Sequence, residues 1–323
     1  MTLNEKLAPL DRTQDALRAA HLYYMQDLTM EAIAHELHTS RSTVSRLLSQ
    51  ARASGLVDIQ IRSPLDAFSY LEKNILDQFQ VTAHVVPVPH HASDVDRLER
   101  VALSVARNLG RYFDSNMTLG IAWGSTMSAI SRHLVPKTTH NSEIVQLNGA
   151  GNERTTGLTY ASEMLQRFGD AYGAHVQQFP SPAFFDNPKT KRAFWDESSV
   201  SRVLEIQARM DVALFGLGTP LAEVTSHVYA GGYLDAADYA SLIASGVVGD
   251  VATVFFRADG STQGIALNDR ATGPDFDVLR QTPRRVCVVS GEAKVHGLHG
   301  ALAAGLITDL FLDEGTARAL VSS

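Results

Sequence analysis

The 323-residue sequence has a single cysteine, Cys287, and one thiol excludes an intrachain disulfide. It sits in "RVCVVSG", where it reads as a small buried apolar residue of a strand. The sequence has no run of about 18 apolar residues, the length a membrane helix needs. Its first residues, "MTLNEKLAPLDRTQ", lack the apolar centre of a secretory signal. These absences point to a cytoplasmic protein with no membrane partner. There is no internal repeat and no low-complexity tract. There is also no Walker loop and no spaced G-x-G-x-x-G, so a nucleotide is poorly supported. One local absence is more informative. Residues 38–54 contain three arginines and no acid, in a chain of net charge −7.

What is present supports a real core, with 45% hydrophobic residues over more than one average domain length. Residues 1–63 hold seven Lys/Arg and seven Asp/Glu, so residues 64–323 carry the whole negative charge. An acidic body with one locally basic element predicts a separate contact surface on that element, because the body itself repels nucleic acid.

Three short helical patterns fill the N-terminal part. The first spans roughly Asp11 to Gln26. In the second, "TMEAIAHEL", Met30, Ile33, Ala34 and Leu37 fall at i, i+3, i+4, i+7, with Thr29 as cap. In the third, capped by Ser40, Val44, Leu47, Leu48 and Ala51 repeat that spacing. Only "HTS" separates the last two, which reads as a helix-turn-helix. Opposite the apolar stripe of the third helix stand Ser42, Ser45, Arg46 and Ser49, and Arg41 lies in its first turn beside Thr43. Arginine forks onto guanine, and short hydroxyls serve bases or phosphates. "LVDIQIR" after "ASG" predicts a strand forming a wing. The candidate contacts to double-stranded DNA are therefore Ser40, Arg41, Ser42, Thr43, Ser45, Arg46 and Ser49. The competing reading is a small three-helix bundle with an ordinary solvated face.

"RSPLDAF", with Pro64 as breaker, divides the chain into domains 1–63 and 64–323. A helix over Leu65–Phe79 follows. Strand-like runs then alternate with helical ones: "VTAHVVPV", "MTLGIAW", "EIVQLNG", "AHVQQF", "DVALFGLG", "VATVFF", "RVCVVSG" and "ITDLFLD". This predicts an α/β fold with a doubly wound, Rossmann-like parallel sheet. Asp259-Gly260 in "FFRADGST" predicts a hairpin turn joining "VATVFF" to "QGIAL".

Four strands end in similar turns: Gly124-Ser125-Thr126, Asn148-Gly149 running to Asn152, Gly216 to Gly218-Thr219, and Gly291 with Lys294 one turn on. Loops at the carboxyl ends of parallel strands share one edge, where ligands bind. Glycine lets backbone approach a ligand, and hydroxyls, helix N-termini and a lysine suit phosphate. Together they predict a phosphorylated, hydroxyl-rich small molecule, although each glycine alone can serve only a tight turn. Asp250 is a further candidate for sugar hydroxyls, or a plain turn residue. Glu292, His296 and His299 lie on one helix face but have no cysteine cluster or matched carboxylate beside them, and His90-His91 reads as a solvated loop. No metal and no cofactor is expected.

The chain resembles the SorC/DeoR-type family of bacterial transcriptional regulators over about residues 12–321. The resemblance is carried by "LTMEAIAHELHTSRSTVSRLLSQARASGLVDIQI", "GIAWGSTMSAI", "IVQLNGAGN", "ALFGLGTP", "GVVGDVATVFF" and "GEAKVHGLHGALAAGLITDLFLDEGTARAL". It implies a winged helix-turn-helix joined to an effector domain shaped like sugar-phosphate isomerases. It implies a phosphorylated sugar or polyol effector, with phosphate contacts at Gly124, Ser125 and Thr126. Further contacts fall at Asn148, Gly149 and Thr219, and polar contacts at Asp250 and Lys294. It also implies a homo-oligomer, a dimer or tetramer, reading two operator half-sites as repressor or activator. "HVYAGGYLDAADYASLI" departs from the pattern in a Gly pair and an aromatic. Two other functions compete. An isomerase needs a positioned base and acid, for which only Asp250 and Lys294 stand out. A pure interaction module leaves four glycine-rich loops without a role.

Overall fold

A computed structural model describes residues 9–57, 70–89, 91–155, 158–220 and 226–322. The chain divides into two compact units, Met1–Ala67 and Phe68–Ser323.

The first unit holds α1 (Pro9–Tyr24), α2 (Met30–Glu36) and α3 (Arg41–Ala53). Ala16, Ala19 and Ala20 let α1 pack closely on Ile33 of α2 and on Val44, Leu48 and Ala51 of α3. Thr29 Oγ1 accepts from Ala32 N, and Ser40 Oγ accepts from Thr43 N, both at 3.2 Å. The turn between α2 and α3 is a Schellman motif. Thr39 N donates to Ala34 O and His38 N to His35 O, with His38 at φ +47°, where glycine is the usual occupant. The wing expected over residues 56–62 lies mostly outside the described residues.

In the second unit, the described part of the expected helix 65–79 is α4 (Tyr70–Phe79). The strands are β1 (Thr82–Val86), β2 (Thr118–Ile121), β3 (Glu143–Gln146), β4 (His175–Gln177), β5 (Val212–Gly216), β6 (Val247–Val251), β7 (Val254–Arg257), β8 (Arg284–Val289) and β9 (Asp309–Asp313). Seven form a wholly parallel sheet in the order β1-β9-β8-β5-β2-β3-β4. Leu119, Ile121, Leu214 and Val288 enter one core, while Ala213, Phe215, Cys287 and Val289 enter the other. Both faces are covered, which is why these strands read as continuous apolar runs. Burial pushes the Cys287 thiol up to about 12, as an inert core residue. The chain runs outward from β2 through β3 to β4, then returns to β5 on the other side of β2. The switch point therefore lies between β5 and β2.

Two expectations are corrected. "VATVFF" is not one strand of the main sheet. Ala252 and Thr253 form a tight turn with φ +48° and +69°, and β6 and β7 pair antiparallel around it. The usual Asn-Gly signal of such a turn is missing from the sequence. Nor does "QGIAL" pair with β7. Residues Ala266–Asp269 form a 3-10 turn, and the Asn268 amide bonds both the N–H and the C=O of Phe255 at 2.8 Å. One side chain thus occupies the ladder positions a strand would have used. No helix among the described residues is long and apolar enough to cross a membrane.

Candidate functional site

On α3, the stripe Val44, Leu48 and Ala51 is buried and Arg41, Ser42, Ser45, Arg46 and Ser49 are exposed. The first turn holds no acid. The structure separates their duties. Ser40 caps the helix, and its Oγ lies 2.8 Å from Ser42 Oγ and 2.9 Å from Thr43 Oγ1. Thr43 is half-buried against that cap. Arg41 Nε pairs with Glu31 Oε1 at 2.8 Å, which orients it from α2. Ser49 Oγ donates to Ser45 O and accepts from Arg52 Nη2. Arg46 is exposed and makes no ion pair or hydrogen bond among the described residues. It is the side chain of this face most available to a base edge.

The second site is a cavity of about 410 Å³ at the carboxyl edge of the sheet, within the size range of small-molecule sites. Seven of the ten residues proposed from the sequence line it: Gly124, Ser125, Thr126, Asn148, Gly218, Asp250 and Lys294. β5 and β2 place Gly218 and Gly124 on either side of the switch point. Helix α5 (Asp94–Leu109) precedes β2, and Ser125 and Thr126 open the short helix α6 (Ser125–Ser131) that follows it.

 Gly124, at φ +149°, leaves open space where a Cβ would stand, so backbone there faces the cavity directly.

The other three proposed residues stand off the lining. The Gly149 carbonyl accepts from Trp123 Nε1 at 2.6 Å and its amide donates to Thr272 Oγ1 at 3.0 Å. A Cβ there would lie 2.2 Å from Pro182 O, so glycine serves close packing. Asn152 Oδ1 accepts from Arg154 N and Thr155 N, both at 2.9 Å, which makes it a turn anchor. Thr219 is buried one residue beyond Gly218 and outside the lining.

The polar character of the wall is unusual. Among the described residues, Asp250 Oδ1, Asn148 Oδ1 and Ser226 Oγ are buried without a hydrogen-bond partner, as is the hydroxyl of Tyr229, a neighbour of Asp250. Burial of unpaired polar atoms is costly, and a polar ligand relieves it. Burial pushes the Asp250 carboxyl up to about 6, against the lowering effect of Tyr229, the Thr253 amide and Lys294. Burial also lowers the Lys294 ammonium, opposed by the carboxylates of Asp250, Asp94 and Asp313. Lys294 makes no ion pair or hydrogen bond among the described residues.

Sequence reasoning missed a second cation on this edge. Arg97, from the helix Asp94–Leu109, lines the cavity and bonds Asp313 Oδ1 through Nη1 at 3.2 Å. Asp313, fully buried at the end of β9, also accepts from Gly291 N at 2.9 Å and from Thr316 N at 3.1 Å. The available signal was an acid closing an apolar strand in "ITDLFLD". The segment "HVYAGGYLDAAD" also gains a role. Tyr233 lies 4.9 Å from Trp123 and its hydroxyl donates to Ala150 O at 2.9 Å. Gly231 O accepts from Asn152 Nδ2 at 3.0 Å, and Gly232 (φ +77°) leaves room for Arg154. These contacts fasten the segment to the loop after β3. Glu292, His296 and His299 do not come together. Glu292 lies in a 3-10 turn before the helix, His299 packs edge-on to Phe79, and no metal-binding group of three such side chains exists among the described residues.

Residues 63–322 match a family model described as "Putative sugar-binding domain", and residues 11–54 match "Sigma-70, region 4". The chain is 33% identical over 315 residues to the deoxyribonucleoside regulator of Bacillus subtilis (strain 168), covering 97% of this chain and 98% of that one. It is 56% identical to a solved domain of a possible sugar-binding transcriptional regulator from Arthrobacter aurescens TC1. That match has a TM-score of 0.75 and covers 80% of this chain and all of that domain. The full-length sorbitol operon regulator SorC from Klebsiella pneumoniae shares the fold at TM-score 0.69 and 24% identity, covering 96% of this chain and 99% of that one.

Proposed function

The chain belongs to the SorC/DeoR-type family of DNA-binding transcriptional regulators with a sugar-binding domain, and from that premise we propose that a phosphorylated sugar or polyol fills its cavity and sets its operator affinity. The observation that carries this reading is one cavity that brings together Lys294 and the acceptors of Asp250 and Asn148, none of them partnered among the described residues. The ammonium and the open turn Gly124–Thr126 suit a phosphate, and the acceptors suit hydroxyls. In this reading residues 1–63 hold DNA through Ser40–Ser42, Thr43, Ser45, Arg46 and Ser49. Residues 64–323 hold the effector. The protein works in the cytoplasm as a homo-oligomer, a dimer or tetramer whose paired DNA units read two half-sites. The relatives named for deoxyribonucleosides and sorbitol bring pentose and hexitol phosphates into the range of effectors to screen.

The test is a thermal-shift screen of the full-length protein with phosphorylated sugars and polyols, each beside its dephosphorylated form. A ligand at 100 times its dissociation constant stabilises by about 2.7 kcal/mol. The reading expects the phosphorylated member to bind and the dephosphorylated member to lose most of that affinity. Thr126→Ala should then weaken only the phosphorylated member. Equal binding of both forms would remove phosphate from the site. An isomerase reading is not favoured, because the relatives above are regulators and the cavity wall offers Asp250 and Lys294 without a further acid–base pair.

A further inference from the structure

The charges around the cavity limit what the effector can carry. Five charged side chains line it among the described residues: Asp94, Arg97, Asp250, Glu292 and Lys294. Three are acids and two are bases. Arg97 is engaged, 3.2 Å from buried Asp313 and 4.0 Å from Asp94. Lys294 is left as the one lining cation without a carboxylate partner among the described residues.

The unpartnered atoms of the wall carry the same message. Asp250 Oδ1 and Asn148 Oδ1 are acceptors, and Ser226 Oγ can act either way. A Cβ at Gly218 would lie 2.0 Å from Asp250 Oδ1 and 3.1 Å from Ser226 Oγ, so the two groups stand together over the Gly218 Cα, where only glycine leaves them room. Acceptors need donors. A ligand hydroxyl donates to them, whereas a phosphate or carboxylate offers only acceptors and adds repulsion beside a carboxylate.

We propose that the cavity selects an effector with one anionic group and uncharged hydroxyls elsewhere, and that Asp250 is a specificity-determining residue that rejects bisphosphates and phosphorylated sugar acids. The inference rests on the reading of the cavity as a sugar-phosphate site and narrows it. Selection works as much by rejection as by attraction, since a second anion meets Asp250, Glu292 and Asp94 with no lining cation among the described residues left to pair with it.

The experiment is calorimetric titration of the full-length protein with matched sets. One set is glucose 6-phosphate, glucose 1,6-bisphosphate and 6-phosphogluconate. A second is ribose 5-phosphate, ribose 1,5-bisphosphate and 5-phosphoribonate. Sorbitol 6-phosphate is run beside sorbitol. The expected result is a monophosphate bound at least about tenfold more tightly than its doubly anionic counterparts, a difference readily resolved in a dissociation constant. In Asp250→Asn, which removes the charge and keeps the shape, that ratio should shrink. Glu292→Gln, at an exposed position of the wall, should shrink it in part and serves if Asp250→Asn fails to fold. A wild-type protein that binds a doubly anionic member as tightly as its monophosphate overturns the inference while leaving the phosphate reading intact. So does a ratio that neither substitution moves. A protein that binds the dephosphorylated forms equally well overturns the phosphate reading instead. Failure of every member to bind overturns both.

Discussion

Gly218 and Asp250 exchange both backbone hydrogen bonds at 3.0 Å, in an isolated antiparallel bridge that joins the end of β5 to β6. The bridge brings the Asp250 side chain over the Gly218 Cα, where a Cβ would stand 2.0 Å from Oδ1. Glycine at 218 is therefore a condition for a carboxylate at 250 to occupy the cavity wall. Gly218→Ala should cost about 1–3 kcal/mol of stability, the range for overpacking a buried site. It should weaken effector binding at the same time. Denaturant unfolding and ligand titration of the same variant check both, and unchanged ligand affinity would separate the bridge from the site.

Asp250 also makes a pH prediction. Its carboxyl stands at about 6 in the fold and about 3.9 in an unfolded chain. The folded state binds this proton more tightly, so the contribution to stability is fully present below about pH 4 and is lost as pH rises through about 6. Groups held low in the fold act with the opposite sign, such as Asp114 through its bond from Lys137. The contribution must therefore be read as a difference. Between pH 7.5 and pH 5, wild type should gain about 1–1.5 kcal/mol relative to Asp250→Asn. Parallel unfolding curves across that interval would show that Asp250 does not titrate there.

Arg46→Ala should cost about 1–3 kcal/mol of operator binding and relax base preference at one position, if the guanidinium forks onto a guanine. Binding measured on operator and on random DNA decides the matter. Equal loss on both assigns Arg46 to a phosphate, and no loss on either removes it from the interface. Glu31→Gln tests the other arginine of this face, since it frees Arg41 from its 2.8 Å pair and should change DNA affinity while scarcely changing stability.

Asp313→Asn should destabilise the effector unit by about 2–4 kcal/mol, because buried donors would then meet an amide N–H₂. The donors are Arg97, Gly291, Thr316 N and the Thr316 hydroxyl. Since one of them is the Gly291 amide at the cavity, ligand affinity should fall as well. Calorimetry on the folded fraction separates the two effects. Loss of stability with undiminished affinity would make the network structural alone.

His38→Gly should stabilise the N-terminal unit by up to about 1 kcal/mol, because φ +47° costs a side chain more than it costs glycine. Thermal unfolding of the chain, followed by a probe confined to residues 9–57, checks this. A lower melting temperature would mean that the His38 side chain contributes more than its backbone conformation costs.

The sequence by itself determined the elements and their class. Heptad-like spacing with Thr29 and Ser40 in front fixed α2 and α3, because caps and apolar periodicity are local properties. Strands β2, β5, β8 and β9 were legible as apolar runs because both faces of a parallel sheet are buried. The four glycine-rich loops could be assigned to one edge because parallel strands point the same way. The tertiary structure decided what depends on partners far along the chain. Whether "VATVFF" joined the sheet turned on a tight turn at Ala252-Thr253 and on Asn268 occupying the Phe255 ladder positions. Gly149 and Asn152 share the chemistry of the residues that line the cavity, but close packing on Pro182 and a turn bonded to Arg154 and Thr155 took them off its wall. Arg97 and Asp313, 216 positions apart, carry no local sign of their pairing. Their meeting depends on the order of strands, which side-chain periodicity does not encode.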